Sequence, residues 1–217
     1  MDLWEASHER DLETIKRLLS EGGDFNKQNK LGRTALHLAC FARHIQIIEA
    51  LLNAPGNGVD PNISDKCGET PLHYAVRFRD LEMVKILLSH LSDPNITDSK
   101  NRSALYYAVS FGFSEIVIEL LTASTGGINL NTIDLFGMTM LGISCAGNNF
   151  DISKQLLLFG ADPNIGEKTP LYLARINNRS NTIQLLETYF PTLLSLSTKC
   201  MTQNKINISK IPERLFS

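Results

Sequence analysis

Histidine and cysteine are the residue types in this chain that could bind a metal or form a nucleophile and base pair. The five histidines stand at positions 8, 37, 44, 73 and 90, and the four cysteines at positions 40, 67, 145 and 200. The cysteines include no Cys-x-x-Cys pair, and His8, His44 and His90 have no cysteine or carboxylate at metal-ligand spacing. We therefore predict no metal site, no cofactor and no catalytic residue.

Composition and glycine placement argue against several other ligand classes. Neither Gly56-Asn57-Gly58 nor Gly126-Gly127 is followed by the Lys-Ser/Thr pair of a phosphate-binding loop. The chain carries 21 basic and 23 acidic residues, a net charge of −2, so we expect no generic attraction to nucleic acid.

The start of the sequence, its apolar stretches and its cysteine spacing indicate where in the cell the protein is expected. The sequence start lacks a basic region followed by an apolar run, and no stretch offers about 18 uncharged apolar residues, so we expect neither secretion nor membrane spanning. Widely spaced cysteines are typical of reduced thiols, which favours a cytoplasmic or nuclear location.

A six-residue phrase recurs along the chain at nearly fixed spacing. It reads T-P-L-H-Y-A from Thr70, and its other copies begin at Thr34, Ser103, Thr139 and Thr169, at successive intervals of 36, 33, 36 and 30 residues. A period near 33 residues with this phrase indicates two short antiparallel helices and a turn, stacked on similar neighbours. The chain thus resembles the ankyrin-repeat family. The resemblance implies an all-α solenoid of about six helix-turn-helix repeats with β-hairpin-like loops.

Capping residues and apolar spacing place the helices within each repeat. From Thr70, we predict a first helix over residues 71–78 and a second over 81–88, because a threonine cap and Pro71 suit a helix start. The predicted organisation is an N-terminal capping repeat over residues 1–30, repeats two to six over 31–190 and a short helical tail over 191–217. The family resemblance implies that His37 and His73 bond near the threonine and an adjacent turn, which makes them structural residues.

Arginine and phenylalanine recur near the ends of the first helices, on the edge that lines the concave groove in ankyrin-repeat proteins. Such a combination suits a protein segment with acidic and apolar groups better than it suits nucleic acid. Two of the arginines, Arg43 and Arg79, stand where the family usually has glycine, which is explained by a selected groove charge or by a backbone adjustment. The candidate groove residues are Phe41, Arg43, Arg77, Phe78, Arg79 and Phe111.

The predicted hairpin tips change character along the chain. The tip residues change from Lys30, Leu31 and Arg33 through Lys66, Cys67 and Glu69 to Lys100 and Arg102, whereas a later tip carries three apolar residues, Leu135, Phe136 and Met138. Three exposed apolar residues at one tip would favour a contact point for a partner. The alternative is packing against the longer loop around residues 128–130.

The tail from residue 191 onward is not another repeat. Ser195-Leu196-x-x-x-Cys200 resembles the first helix of a suppressor-of-cytokine-signalling (SOCS) box, and Ile211-Pro212-x-x-Leu215 resembles its cullin-selecting segment. This resemblance implies that Leu196 and Cys200 contact elongin C and that Ile211, Pro212 and Leu215 contact a cullin. The sequence departs from the box at Asn204, in its short spacer and in its early end.

The tail leaves several hypotheses open. A SOCS box would make the chain the substrate-recognition subunit of an elongin, cullin and RING ubiquitin ligase. The final residues are also similar to the truncated F-box of poxviral ankyrin proteins, which again indicates a ligase. Alternatively, the leucines of the tail only cover the last repeat, and the chain is a stand-alone adaptor or inhibitor. A hydrolase carried on the scaffold is the rival from the enzyme class, and no residue pattern favours it.

Overall fold

The computed structural model describes residues 3–54, 58–123 and 127–188, and every regular element in these ranges is helical. The chain divides into two compact units, Met1–Asn129 and Leu130–Ser217, called unit 1 and unit 2 below. Unit 1 contains four helix pairs: α1 (Leu3–Glu9) and α2 (Leu12–Glu21), α3 (Ala35–Phe41) and α4 (Ile45–Leu52), α5 (Pro71–Arg77) and α6 (Leu81–Ser89), and α7 (Ala104–Phe111) and α8 (Ser114–Ala123). Unit 2 contains α9 (Met140–Ala146), α10 (Phe150–Leu158), α11 (Pro170–Ile176) and α12 (residues 180–188).

The helices pack as the repeat pattern predicts. In unit 1, each first helix contacts the next first helix, from α1 to α3, α5 and α7, while α2 contacts α4 and α6 contacts α8. In unit 2, α9 contacts both α10 and α11. Within each unit, packed helices of adjacent repeats cover apolar side chains of one another, so these repeats stabilise one another. The predicted all-α arrangement of stacked helix pairs is confirmed.

Apolar side chains of both helices build the core. Leu36, Leu72 and Leu105, from the recurring phrase, are completely or almost completely buried. The second helices contribute fully or nearly fully buried side chains such as Ile48, Leu87 and Leu120, and α2 contributes Ile15. The close apolar spacing of these helices therefore reflects burial between neighbouring helices rather than one amphipathic stripe.

A buried imidazole ties the second repeat to the third. The Thr34 hydroxyl accepts the backbone amide of His37 at 3.4 Å, and His37 Nδ1 accepts the Thr34 backbone amide at 3.2 Å. Since Nδ1 accepts, the proton of the neutral ring lies on Nε2, which donates to the Glu69 carbonyl oxygen at 3.0 Å. His73 repeats this arrangement, with Nδ1 3.1 Å from the Thr70 amide and Nε2 3.1 Å from the Arg102 carbonyl. The structural role that the resemblance implied for both histidines is confirmed.

One of the two residues that follow each first helix adopts a left-handed backbone. In the fourth repeat this residue is Gly112, with φ of 73°, but Arg43 and Arg79 adopt φ of 58° and 53° in the two preceding repeats. A left-handed conformation costs a residue with a Cβ atom roughly 1 kcal/mol relative to glycine. The backbone adjustment that was one explanation for these arginines is therefore present, and it carries strain.

The connecting segments and the helix lengths complete the fold. Isolated antiparallel bridges join Thr97 to Ser103 and Ile133 to Thr139, which gives the predicted hairpin character at two of the loops. Within the described ranges, no helix combines the length and apolar character that crossing a bilayer requires. The proposed domain boundaries at residues 30 and 190 stay a prediction, and the tail helix falls outside the described residues.

The buried histidines should make the stability of the chain depend on pH. Burial lowers the pKa of His37 from 6.5 to about 4, and burial also lowers the pKa of His73. Between pH 6.5 and pH 4, the unfolded chain therefore binds more protons than the folded chain. The free energy of unfolding should fall as the pH drops below about 6.5, and His37 should account for a loss of about 2 kcal/mol at pH 5. Urea unfolding at pH 7.5 and pH 5 measures this loss.

Replacing both histidines tests how much of the stability loss on acidification comes from their imidazoles rather than from other titratable groups. The double variant His37→Gln/His73→Gln should be less stable than wild type at pH 7.5, because glutamine does not reproduce both ring hydrogen bonds. Its unfolding free energy should nevertheless change less between the two pH values. A double variant that keeps the wild-type loss on acidification would show that the histidines do not cause it.

Candidate functional site

Three exposed phenylalanines mark one edge of unit 1. Phe41, Phe78 and Phe111 lie at or just after the C-terminal ends of the first helices α3, α5 and α7, and their exposed fractions are 44%, 37% and 52%. The rings of Phe41 and Phe78 meet edge to face, with centroids 5.8 Å apart. Phe111 instead packs against Phe113 at 5.4 Å and Tyr107 at 6.0 Å. We call Phe41, Phe78 and Phe111 the aromatic patch.

Arginine side chains cover several of these rings. The guanidinium of Arg33 lies 5.7 Å from the ring centroid of Phe41, and that of Arg79 lies 5.3 Å from Phe113. Arg77, at the end of α5, lies 5.9 Å from the Tyr107 ring in the next repeat. These distances allow cation–π attraction within the second repeat for Arg33, and between the third and fourth repeats for Arg77 and Arg79. Each of these contacts joins one predicted groove residue to a residue outside that set, and the groove itself stays a prediction.

The groove arginines are less free than the sequence indicated. Arg43 pairs with Asp80 at 3.1 Å, and Arg77 pairs with Glu69 through contacts of 2.7 and 2.9 Å. Of the three predicted groove arginines, Arg79 alone forms no carboxylate ion pair among the described residues. Much of the expected positive charge of the groove is therefore balanced within unit 1.

Arg102 also differs from its prediction as a hairpin tip residue. Its side chain is only partly exposed and donates to Asp98 through Nε at 2.9 Å and Nη2 at 2.6 Å. The guanidinium lies 4.7 Å from the ring centroid of Tyr107. Arg102 consequently supports the hairpin from within rather than presenting an unpaired charge at its tip.

Two tyrosines that the sequence analysis did not select connect this network. The buried Tyr74 hydroxyl donates to Asp65 at 2.8 Å, and the buried Tyr107 hydroxyl donates to Asp98 at 2.8 Å. Burial, followed by the hydrogen bond to a carboxylate, raises the pKa of both phenols above their ordinary value. Both tyrosines share a sequence signal. Tyr74 follows the histidine of the recurring phrase, Tyr107 stands at the same position in the next copy, and each comes nine residues after a hairpin aspartate.

The hairpin carboxylates are buried because they organise their own loops. Asp98 accepts the backbone amides of Lys100 and Arg102 at 2.8 and 3.0 Å through one oxygen, and the Arg102 and Tyr107 side chains through the other. Burial would raise the pKa of Asp98, but these hydrogen bonds outweigh it and hold the pKa below its ordinary value. Asp65 makes the corresponding amide contacts to Cys67 and Glu69.

The tips of consecutive repeats in unit 1 contact each other through backbone. The Lys66 amide donates to the Leu31 carbonyl at 3.1 Å, and the Ser99 amide donates to the Cys67 carbonyl at 2.9 Å. Gly68, at φ of 79°, approaches so closely that an added Cβ would lie 2.7 Å from the Ser99 nitrogen. Lys66 and Lys100 are exposed at these tips, as predicted, and Lys30 is exposed at the tip before them.

The apolar tip of unit 2 contains two exposed residues rather than three. Leu135 and Phe136 are 68% and 73% exposed, whereas Met138 is only partly exposed. The Glu167 amide donates to the Gly137 carbonyl at 3.1 Å, so the next loop packs against this tip. The local turn follows from Asp134, whose carboxylate accepts the amides of Phe136 and Met138 at 2.9 and 2.8 Å.

The described residues contain no group of three histidine, cysteine, aspartate or glutamate side chains placed to hold a metal ion. Burial raises the pKa of the Cys145 thiol to about 11 and raises the pKa of Cys40 even further above its ordinary value, so neither thiol is activated as a nucleophile. The tail residues Leu196, Cys200, Ile211, Pro212 and Leu215 lie outside the described residues.

Comparison with known proteins gives a consistent family signal. A sequence model of ankyrin repeats matches the chain in three overlapping copies, over residues 3–98, 57–134 and 105–191. Among solved structures, the chain is similar to an ankyrin repeat domain from Acinetobacter baumannii AYE, with a TM-score of 0.77 and 30% identity over 86% of this chain and 96% of that one.

Curated relatives match over a shorter stretch. The chain is 40% identical to the mitochondrial disaggregase of Bos taurus and 41% identical to that of Homo sapiens, over 52 residues in each case. This segment is 24% of the chain and 8% or 7% of those proteins. The chain therefore matches only a small part of the length of these relatives.

The Tyr107 hydroxyl should contribute measurably to stability. Tyr107→Phe removes a donor from the buried Asp98 carboxylate, so we expect unfolding free energy to fall by roughly 1 to 3 kcal/mol. Tyr172→Phe is the matched control, because the Tyr172 side chain is half exposed and should tolerate loss of the hydroxyl within about 0.5 kcal/mol. Urea unfolding measures the stability of both variants. Equal free energies of unfolding would show that the buried Tyr107 hydroxyl contributes no more to stability than the hydroxyl of the half-exposed Tyr172.

Proposed function

This chain belongs to the ankyrin-repeat family, and from that premise we propose that it is a non-enzymatic scaffold that binds a protein partner through the aromatic patch of unit 1. Ankyrin repeats are protein-interaction modules, in which a stack of repeats presents an extended binding surface. The repeats thus support the general role. The particular surface is our proposal.

The aromatic patch is the observation that carries this proposal. Isolated surface hydrophobes need no explanation, but Phe41, Phe78 and Phe111 occur near the first-helix ends of three successive repeats. Each ring has other aromatic rings or a guanidinium beside it, which holds it in place before a partner arrives. Aromatic residues with limited rotamer freedom are the side chains that most often dominate the affinity of protein interfaces.

The ligase role is a finer proposal that comes from the tail alone. If Leu196 and Cys200 contact elongin C as the SOCS-box resemblance implies, the repeats would bring a bound protein to a cullin-type ubiquitin ligase. The alternative is a stand-alone adaptor or inhibitor that binds its partner through the repeats and has no ligase link. A reducing compartment, cytoplasm or nucleus, suits both roles, since the cysteines at positions 40, 67 and 145 are free thiols.

Alanine variants of the patch test the scaffold proposal. Peptides are selected from a displayed random library against the immobilised full chain, and their dissociation constants are measured in solution. We expect Phe41→Ala and Phe111→Ala each to weaken binding by about tenfold, because truncating a central aromatic contact costs at least about 1.4 kcal/mol.

Phe159→Ala provides the matched control for these variants. Phe159 is 41% exposed in unit 2, a fraction close to that of Phe41, and it should leave peptide affinity unchanged within about twofold. Thermal melts establish that all three variants remain folded. Failure to select any peptide, or equal weakening by Phe159→Ala, would reject the patch as the binding surface.

Capture of purified elongin B and C tests the tail. We expect the wild-type chain to retain both proteins, and the variant Leu196→Ala/Cys200→Ala to lose them, since the two side chains would fill the elongin C pocket. The same variant should still bind the peptides selected above. A wild-type chain that retains neither elongin protein excludes the elongin-dependent ligase role.

A further inference from the structure

Three lysines form a row along the hairpin tips of unit 1. Lys30, Lys66 and Lys100 belong to the tips of the second, third and fourth repeats, and all three are exposed. None of them forms an ion pair with a carboxylate among the described residues, in contrast to Lys16 and Lys85 on the second helices. We call Lys30, Lys66 and Lys100 the lysine ridge.

The acidic groups nearest in sequence to the lysine ridge are already engaged. Asp65, Glu69 and Asp98 are buried, with exposed fractions of 8%, 7% and 7%. Their ion-pair partners are Arg33 at 3.8 Å, Arg77 at 2.7 Å and Arg102 at 2.6 Å, respectively. Three carboxylates therefore balance three guanidinium groups, and the three lysine charges are left over.

The remaining acidic side chains of these connecting segments lie in a different turn. Asp24, Asp60 and Asp93 are six or seven residues before the corresponding lysines, in the turns that follow the second helices. Each accepts the backbone amide of the asparagine two residues later, at 2.8 to 3.0 Å. Acidic groups thus gather in these turns and unpaired basic groups at the tips.

The backbone fixes the lysine ridge in place. The amide bonds from Lys66 to Leu31 and from Ser99 to Cys67 connect three consecutive tips. Gly32 adopts φ of 77°, and a Cβ atom there would lie 2.7 Å from the Lys66 nitrogen, so the tips pack in direct contact. Lysines on connected tips present their charges together at a lower entropic cost than lysines on independent loops.

The hairpin of Lys30 contacts the aromatic patch. Arg33 follows Lys30 by three residues in the same hairpin, and its guanidinium lies against the Phe41 ring. We infer that the lysine ridge binds an acidic segment of the protein partner whose apolar side chains contact the aromatic patch. This inference rests on the proposed function and names the chemistry of the partner. A net charge of −2 for the whole chain favours an acidic protein segment over nucleic acid, which draws on long-range attraction to many phosphates.

Two charge-matched triple variants of the full chain test the inference. Lys30→Gln/Lys66→Gln/Lys100→Gln removes the ridge, whereas Lys16→Gln/Arg17→Gln/Lys85→Gln removes the same charge from exposed positions on α2 and α6. The library peptides selected on wild type should be enriched in aspartate and glutamate. The ridge variant should bind them about tenfold more weakly, as expected for three exposed ion pairs, and the control variant should remain within about twofold of wild type.

Two further measurements separate the sources of binding. Replacing the glutamates and aspartates of a selected peptide by glutamine and asparagine should weaken wild-type binding and leave the ridge variant little affected. Raising the salt concentration should weaken the acidic peptide more than its neutral counterpart, because exposed charges are screened.

Three results would overturn the inference. Peptides that lack acidic enrichment and bind the ridge variant normally, yet still depend on Phe41, would leave the proposed function intact and refute only the acidic partner. If the control variant weakened peptide binding as much as the ridge variant, the effect would come from the net charge of the chain and not from the lysine ridge. Ridge-dependent binding of single-stranded poly(dT), without binding of acidic peptides, would assign the ridge to nucleic acid instead.

Discussion

The hydrogen bond from a buried histidine to the next repeat is the constraint on which unit 1 depends. His37 closes the N-terminus of its own helix through Thr34 and, with its other nitrogen, holds the Glu69 carbonyl of the following hairpin. One neutral ring therefore fixes a helix start and the position of the neighbouring loop together. A protonated ring could still donate from Nε2 but could not accept the Thr34 amide at Nδ1, so the two contacts exist together only while the imidazole stays neutral.

This link also determines where the binding groups lie. The backbone oxygen of Glu69 is held by His37, while its carboxylate holds Arg77, whose guanidinium lies over the Tyr107 ring of the fourth repeat. The first of these contacts repeats in the next pair of repeats, where His73 holds the Arg102 carbonyl. Core geometry and surface geometry are consequently coupled, because the residues that stack the repeats also orient the charged and aromatic side chains at their edge.

The fold could be predicted from the repeat period of the sequence. The site could be predicted only in part, because it depends on which side chains form ion pairs. The capping residues and apolar spacing located both helices of the third repeat to within a residue, and the family resemblance identified His37 as structural. The sequence did not reveal the carboxylate partners of Arg77 and Arg102, because these pairs depend on how a hairpin folds back on a helix. Met138 was expected to be exposed together with Leu135 and Phe136, but its side chain is only partly exposed. Burial and pairing at this level require three-dimensional contacts that sequence spacing does not specify.

The arginines at left-handed positions show how local preference gives way to inter-repeat contact. Gly112 satisfies this backbone without strain, and Arg43 and Arg79 do not, at a cost of roughly 1 kcal/mol each. Arg43 bonds Asp80 of the next repeat, and Arg79 covers Phe113 of the next repeat, so each strained residue makes a contact that glycine could not make. Natural sequences break local rules chiefly where a compensating interaction exists. At these two positions, the contact that the side chain makes with the next repeat offsets the backbone strain.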